Sequence, residues 1–152
     1  MDDPYARPSA SHPLERVGDI ALPPHAGAGG FDHAAVHAGS GHVYVAHTAN
    51  DAVDVFDPAA GTYLFSVPGL PGAAGVLVSD EAQLIIASAR GENTIGVFSP
   101  GPAPVVRKIA VGLRPNGLAF DVRRGLIMAA NVELEVFEHQ VKDPWKVLNN
   151  KR

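Results

Sequence analysis

Residues Val43–Pro58 read VYVAHTANDAVDVFDP: an apolar run, a polar turn, an alternating run and an Asp-Pro stop. The same order returns at Leu84–Pro100 (LIIASARGENTIGVFSP) and, clipped, at Leu126–Phe137 (LIMAANVELEVF). One supersecondary unit is written three times, and such a repeat sets the architecture before any single residue does. Aligned on the apolar runs, Val43, Leu84 and Leu126 correspond at intervals of 41 and 42. Val55-Phe56, Val97-Phe98 and Val136-Phe137 correspond at 42 and 39, which reads as three residues lost from the last turn. This register puts Ala46, Ala87 and Ala129 at one matched position, where a small side chain lets neighbouring units approach.

Working outward, the first unit predicts strands at Asp32–Ala38, His42–His47, Ala52–Asp57 and Thr62–Val67. The second predicts Ala74–Ser79, Leu84–Ala89, Thr94–Phe98 and Val105–Val111, and the third Asn116–Asp121, Leu126–Asn131 and Glu133–Glu138. The intervening GSG, AND, PAAG and RGEN segments are turn chemistry: Gly supplies positive φ, Asn and Asp mimic a turn, and Pro fixes φ. Short strands joined by short turns form antiparallel meanders. Four strands in roughly 40 residues is the spacing of a β-propeller blade. The expected fold is all-β, with four-stranded antiparallel propeller blades in about three repeats, an incomplete or truncated ring because closed propellers generally carry about four to eight blades. The blades are expected at 31–68, 72–111 and 114–138, behind a disordered lead at 1–15 and an outer strand at 16–22. Either Arg16–Leu22 or Trp145–Leu148 is expected to supply the third blade's missing strand. The tail at 139–152 drops the Ala/Gly/Val style, which suggests the N-terminal half of a longer six- or seven-blade protein with a foreign or frame-shifted end.

Composition narrows the function classes. Charged residues make up 18% and the net charge is −4, with no basic patch. That argues against nucleic acid or an anionic membrane as partner. With no cysteine there is neither a disulfide nor a thiolate metal site. The acidic N-terminus lacks the apolar core of a secretory signal, so the expected compartment is the cytoplasm, or the periplasm if sequence upstream is missing. An open array of blades would leave an apolar face uncovered, which predicts self-association.

VYVAHTANDAVDVFDPAAG and RPNGLAFD resemble the YVTN-type propeller repeat across about Arg16–Phe137. AHT and ASA depart from that repeat's ANS-like segment, while AAN in the third unit is closer. The resemblance implies a binding scaffold and names no ligand. RPNGLAF (Arg114–Phe120) is also similar to the segment leading into a blade in gluconolactonase/regucalcin-type propellers. By that resemblance Asn116 would ligate a catalytic divalent cation such as Ca²⁺, with Asp32 as carboxylate partner. The second repeat offers only Ala73-Ala74 at the corresponding place, and a hard divalent cation takes about six oxygens.

Propeller ligands sit where the turns leading into each blade's first strand converge. The ligand-binding candidates are therefore Asp32, His33, Arg114 and Asn116; turn capping by Asp32 and Asn116 explains the same residues without a ligand. Of the seven histidines, His33 and His37 fall on one face of a strand roughly 13 Å apart, too far to share a zinc ion. Arg90 reads as a solvated turn residue. No nucleophile elbow or phosphate-binding loop is present. The leading reading is a non-catalytic binding or scaffold module for an unknown small molecule or protein. The alternatives are a metal-dependent lactone hydrolase and an interaction module working through exposed blade edges.

Overall fold

The structure, a computed structural model, describes residues 15–132 and, as backbone, 136–140. Eleven strands lie among them. The first antiparallel sheet runs in sequence order through β1 (Phe31–Val36), β2 (Val43–His47), β3 (Ala52–Asp57) and β4 (Thr62–Pro68). The second does the same with β5 (Ala73–Ser79), β6 (Leu84–Ala89), β7 (Thr94–Phe98) and β8 (Arg107–Ala110). The third holds β9 (Pro115–Asp121), β10 (Leu126–Asn131) and β11 (Val136–Gln140). A single 3-10 turn, Thr48–Asn50, joins β2 to β3. Among the described residues no helix is long and apolar enough to cross a membrane.

Two apolar layers hold the sheets face to face. Tyr44, Ala46, Val53, Val55 and Val67 of the first sheet pack on Val76, Ile85, Ala87, Ala89 and Phe98 of the second. Leu84, Ile86, Ile95 and Val97 on its other face pack on Ile127 and Ala129 of the third. β6 is buried along its whole length, as its unbroken apolar run predicts for a strand covered on both sides. Each large aliphatic side chain buried this way stabilises the fold by about 1.5–3 kcal/mol. Two glycines let the layers close. A Cβ on Gly96 would lie 2.5 Å from Leu70 Cδ2, and one on Gly75 would lie 2.0 Å from the Asn116 carbonyl oxygen.

Strand pairing corrects the register. Phe31 faces His47, Ala73 faces Ala89 and Pro115 faces Asn131, so the equivalent residues of β2, β6 and β10 recur at 42 and 42. Val43 therefore matches Ile85 and Ile127. The alignment on Leu84 is one residue out, and Ala46 is not the counterpart of Ala87: both point into the same layer from opposite sides. In β11, Phe137 faces Ala129 and His139 faces Ile127. In β7, Phe98 faces Ile85. Phe98 thus corresponds to His139, an interval of 41 instead of the 39 expected for Phe137, so the last turn is shorter by one residue where three were expected.

Arg16–Leu22 is not a strand: residues 15–30 pair with no sheet. Pro23 and Pro24 lack backbone donors, and the segment instead runs beside the first sheet. There Val17–Ile20 face the Pro58–Gly61 turn across a cleft, and Asn50 bonds Ala26 N at 2.7 Å and Pro24 O at 3.0 Å. β8 is shorter than expected, with Val105 exposed beside Pro104. The third sheet ends at Gln140, two residues past the expected boundary; the lead through residue 14, Trp145–Leu148 and the rest of the tail lie outside the described residues.

Candidate ligand-binding end

The turns that precede β1, β5 and β9 lie at one end of the sheets together with those following β2, β6 and β10. A repeated clip builds this end. After β2, Asp51 takes a left-handed backbone (φ 52°), and its Oδ1 accepts from Gly72 N at 2.8 Å. After β6, Asn93 (φ 59°) does the same for Arg114 N at 2.9 Å. Asn and Asp tolerate this conformation and bond neighbouring backbone with their side chains. The next link also repeats: Arg90 N donates to Gly72 O at 3.3 Å, and Val132 N to Arg114 O at 3.1 Å.

These clips fix the equivalences. Asp32, Ala74 and Asn116 share one position and Gly72 and Arg114 another, each spaced by 42. Gly72 has φ 62°, a conformation natural to glycine. Arg114 holds φ 55° at the same place, where an ordinary side chain is strained by roughly 1–2 kcal/mol.

Asp32 is engaged on both oxygens. Its Oδ1 lies 2.7 Å from His33 Nδ1, and its Oδ2 accepts from Arg90 Nη2 at 2.6 Å. Arg90 is therefore not a free turn residue; three-quarters buried, it ties the second sheet to the first. Asn116 gives its backbone oxygen to Ser88 Oγ at 3.2 Å. Its side-chain Oδ1 is buried with no partner among the described residues, as are Arg90 Nε and both polar atoms of the Asn131 amide. The structure thus places the four predicted candidates, Asp32, His33, Arg114 and Asn116, at the same end of the strands, and adds Thr48, Arg90 and Asn131. A cleft of about 310 Å³ lies here, lined by Thr48, Gly72, Arg90, Gly91 and Arg114.

Among the described residues no three His, Asp or Glu side chains converge as a metal site. His37 is bonded to Ser40 at 2.8 Å and lies 3.4 Å from Asp80. His47 belongs to a network on the first sheet's outward face. Its Nδ1 lies 2.7 Å from Asp54 Oδ2, with both side chains fully buried. Ser66 Oγ donates to Asp54 Oδ1 at 2.6 Å, and Tyr63 Oη lies 2.9 Å from Ser66. Nδ1 is the ring atom that meets Asp54, and Nε2 is buried with no partner among the described residues. Phe31 and His25 cover the ring at centroid distances of 4.3 and 5.0 Å. In the order Tyr–Ser–Asp–His the serine hydroxyl meets the aspartate and not the imidazole, unlike a Ser–His nucleophile pair. The network staples β2, β3 and β4. Sequence reasoning passed over this pair because His47 and Asp54 are diagonal partners across a turn; the i, i+7 spacing over a two-strand hairpin was the available signal.

No protein-family model matches the chain, and no curated protein matches it. Solved structures do. The hydrazine synthase of Kuenenia stuttgartiensis aligns with TM-score 0.64 at 18% identity over 73% of this chain and 34% of its own. A functionally unknown protein from Desulfotomaculum acetoxidans DSM 771 gives 0.61 at 15% identity over 75% and 39%. Virginiamycin B lyase from Staphylococcus aureus, a β-propeller, gives 0.53 at 11% identity over 74% and 41%. The chain spans less than half the length of each. At these identities the likeness concerns fold alone.

Proposed function

We propose that the chain is a segment of a YVTN-type β-propeller, about three blades long, and that it is a non-catalytic binding module with its ligand at the end formed by Thr48, Asp32, Arg90, Arg114, Asn116 and Asn131. The repeat at 42 residues, the three antiparallel sheets stacked face to face and the likeness to virginiamycin B lyase support the propeller reading. One observation carries the binding reading. Arg90 Nε, Asn116 Oδ1 and the Asn131 amide are buried without partners among the described residues, and such groups are destabilising by about 1–3 kcal/mol each unless something satisfies them. A ligand that hydrogen-bonds there would recover that energy.

The lactone-hydrolase alternative needs Asp32 as a cation ligand, yet His33 and Arg90 already occupy its oxygens. The test is a thermal-shift screen of small polar metabolites against the wild-type chain and the Asn116→Ala and Asn131→Ala variants. Hits abolished in both variants support the reading; hits that all persist in both variants, or a screen without hits, remove it. Hydrolysis of a lactone panel that depends on added Ca²⁺ would instead favour the enzyme.

A further inference from the structure

We propose that the cleft between Arg90 and Arg114 is an oxyanion site, accepting the carboxylate or phosphate group of a small ligand. The inference deepens the binding-module reading by naming its ligand class. The cleft is built from two copies of one repeat position pair. Where the first copy writes Thr48 and Gly72, the second writes Arg90 and Arg114. Both arginines line the same space of about 310 Å³, together with Thr48, Gly72 and Gly91 and no carboxylate.

Their electrostatics differ in a useful way. Asp32 neutralises Arg90 and fixes its Nη2 at 2.6 Å, while Nε stays buried without a partner. Glu92, next to the cleft's Gly91, is held by Lys108 at 2.5 Å, and Asp51 Oδ1 is bonded to Gly72 N at 2.8 Å. The Arg114 guanidinium makes no hydrogen bond or ion pair among the described residues. A guanidinium presents a planar fork matched to carboxylate or phosphate oxygens. Arg114 stands where the repeat has glycine, in a backbone conformation that disfavours it. A side chain kept at a strained position in a cleft points to a role for the side chain. Thr48 adds no free proton, since its hydroxyl donates to Ala73 O at 2.6 Å, so the donors left for a ligand are those of the two arginines.

The test uses sodium phosphate followed by ³¹P line broadening and sodium acetate followed by saturation transfer, at constant ionic strength. The variant is Arg114→Gly, which restores the residue found at Gly72 and should leave the fold intact; Arg123→Ala, an exposed arginine elsewhere, is the control. The expected result is saturable binding of at least one anion, weakened by about tenfold or more in Arg114→Gly, the loss of a charge-assisted hydrogen bond, and unchanged in the control. Phosphate alone, acetate alone or both identify the preferred group. Anion binding that is absent, unsaturable or equal in wild type and Arg114→Gly overturns the proposal. Glucose is titrated in parallel on wild type and Asn116→Ala. If it binds only the wild type while the anions fail, the oxyanion inference falls and the binding-module reading survives; if neither binds, both fall.

Discussion

On the first sheet's outward face buried His47 and Asp54 and half-buried Ser66 form a hydrogen-bonded row, with Phe31 and His25 over the His47 ring. On the third sheet's outward face Gly117, Ala119, Met128 and Ala130 line an open, largely apolar cleft of about 270 Å³. These are the two ends of the same stack, and among the described residues only the first is covered by its own chain. Met128 is the counterpart of Tyr44 and Ile86, both of which lie under a neighbouring sheet. Among the described residues the third sheet thus presents an interior-type surface without a neighbour, whereas the first is finished with a polar row. Repeat arrays generally need such a polar cap at a terminal face.

The largest expected effect comes from breaking the first face. Asp54→Ala leaves buried His47 and half-buried Ser66 without their acceptor, and removing one member of a buried pair such as His47–Asp54 is destabilising by about 3–5 kcal/mol. Replacing both members with apolar residues (His47→Phe with Asp54→Leu) should recover much of that loss. Urea unfolding measures both; a loss below about 1 kcal/mol for Asp54→Ala would mean the row does not hold the face.

Next come two glycines at one repeat position. Gly75→Ala drives a Cβ to 2.0 Å from the Asn116 carbonyl oxygen and should be destabilising by roughly 3 kcal/mol through overpacking. At Gly117 the nearest atom would be Ala130 Cβ at 3.5 Å, an ordinary contact, so Gly117→Ala should change stability by less than about 1 kcal/mol. Equal effects would contradict the difference between a covered and an uncovered face. Met128→Lys sharpens the same point. It should shift stability by less than about 1 kcal/mol and lower any concentration-dependent mass in sedimentation. Ile86→Lys should prevent folding, because its charge would be buried between sheets.

The smallest effect is electrostatic. The N–H groups of Gly39 and Ala38 bond the Asp80 carboxylate and hold its pKa below 3.8, with a lesser contribution from His37. A depressed carboxylate contributes stability above its unfolded pKa and loses it as pH falls through the folded value. The contribution is therefore complete near neutrality and falls away progressively as pH drops below about 4. Asp80→Asn should flatten that part of the acid-stability profile; an unchanged profile would remove Asp80 as a link between the first two sheets.

Much of this was legible in the sequence. The bounds of β3, β6, β7 and β10 are those read from VDVF, LIIA, TIGVF and LIMA with their flanking turns. The register was not, because a strand apolar on both faces aligns equally well one residue either way, and a slip of one exchanges its faces. The turn residues that lock the period at 42, Asp51 with Asn93 and Gly72 with Arg114, are invisible to an alignment on apolar runs. That Asp32, His33 and Asn116 share one end of the sheets followed from repeat position, and Arg114 from the RPNGLAF segment. Arg90 did not, since its partner Asp32 lies 58 residues away, and neither did the His47–Asp54 pair, whose meaning depends on diagonal pairing. Arg16–Leu22 failed for a plainer reason: Val17 and Ile20 imitate a strand, but Gly18 and the following prolines give it no ladder to join.

Ligands are expected to meet this molecule at the end of the sheets where β1, β5 and β9 begin. Amide NMR during titration with a polar fragment mixture should then show saturable shifts grouped at Thr48, Gly72, Arg90, Gly91, Arg114, Asn116 and Asn131. Shifts confined to Met128 and Ala130, or to the cleft between Val17–Ile20 and Pro58–Gly61, would contradict it.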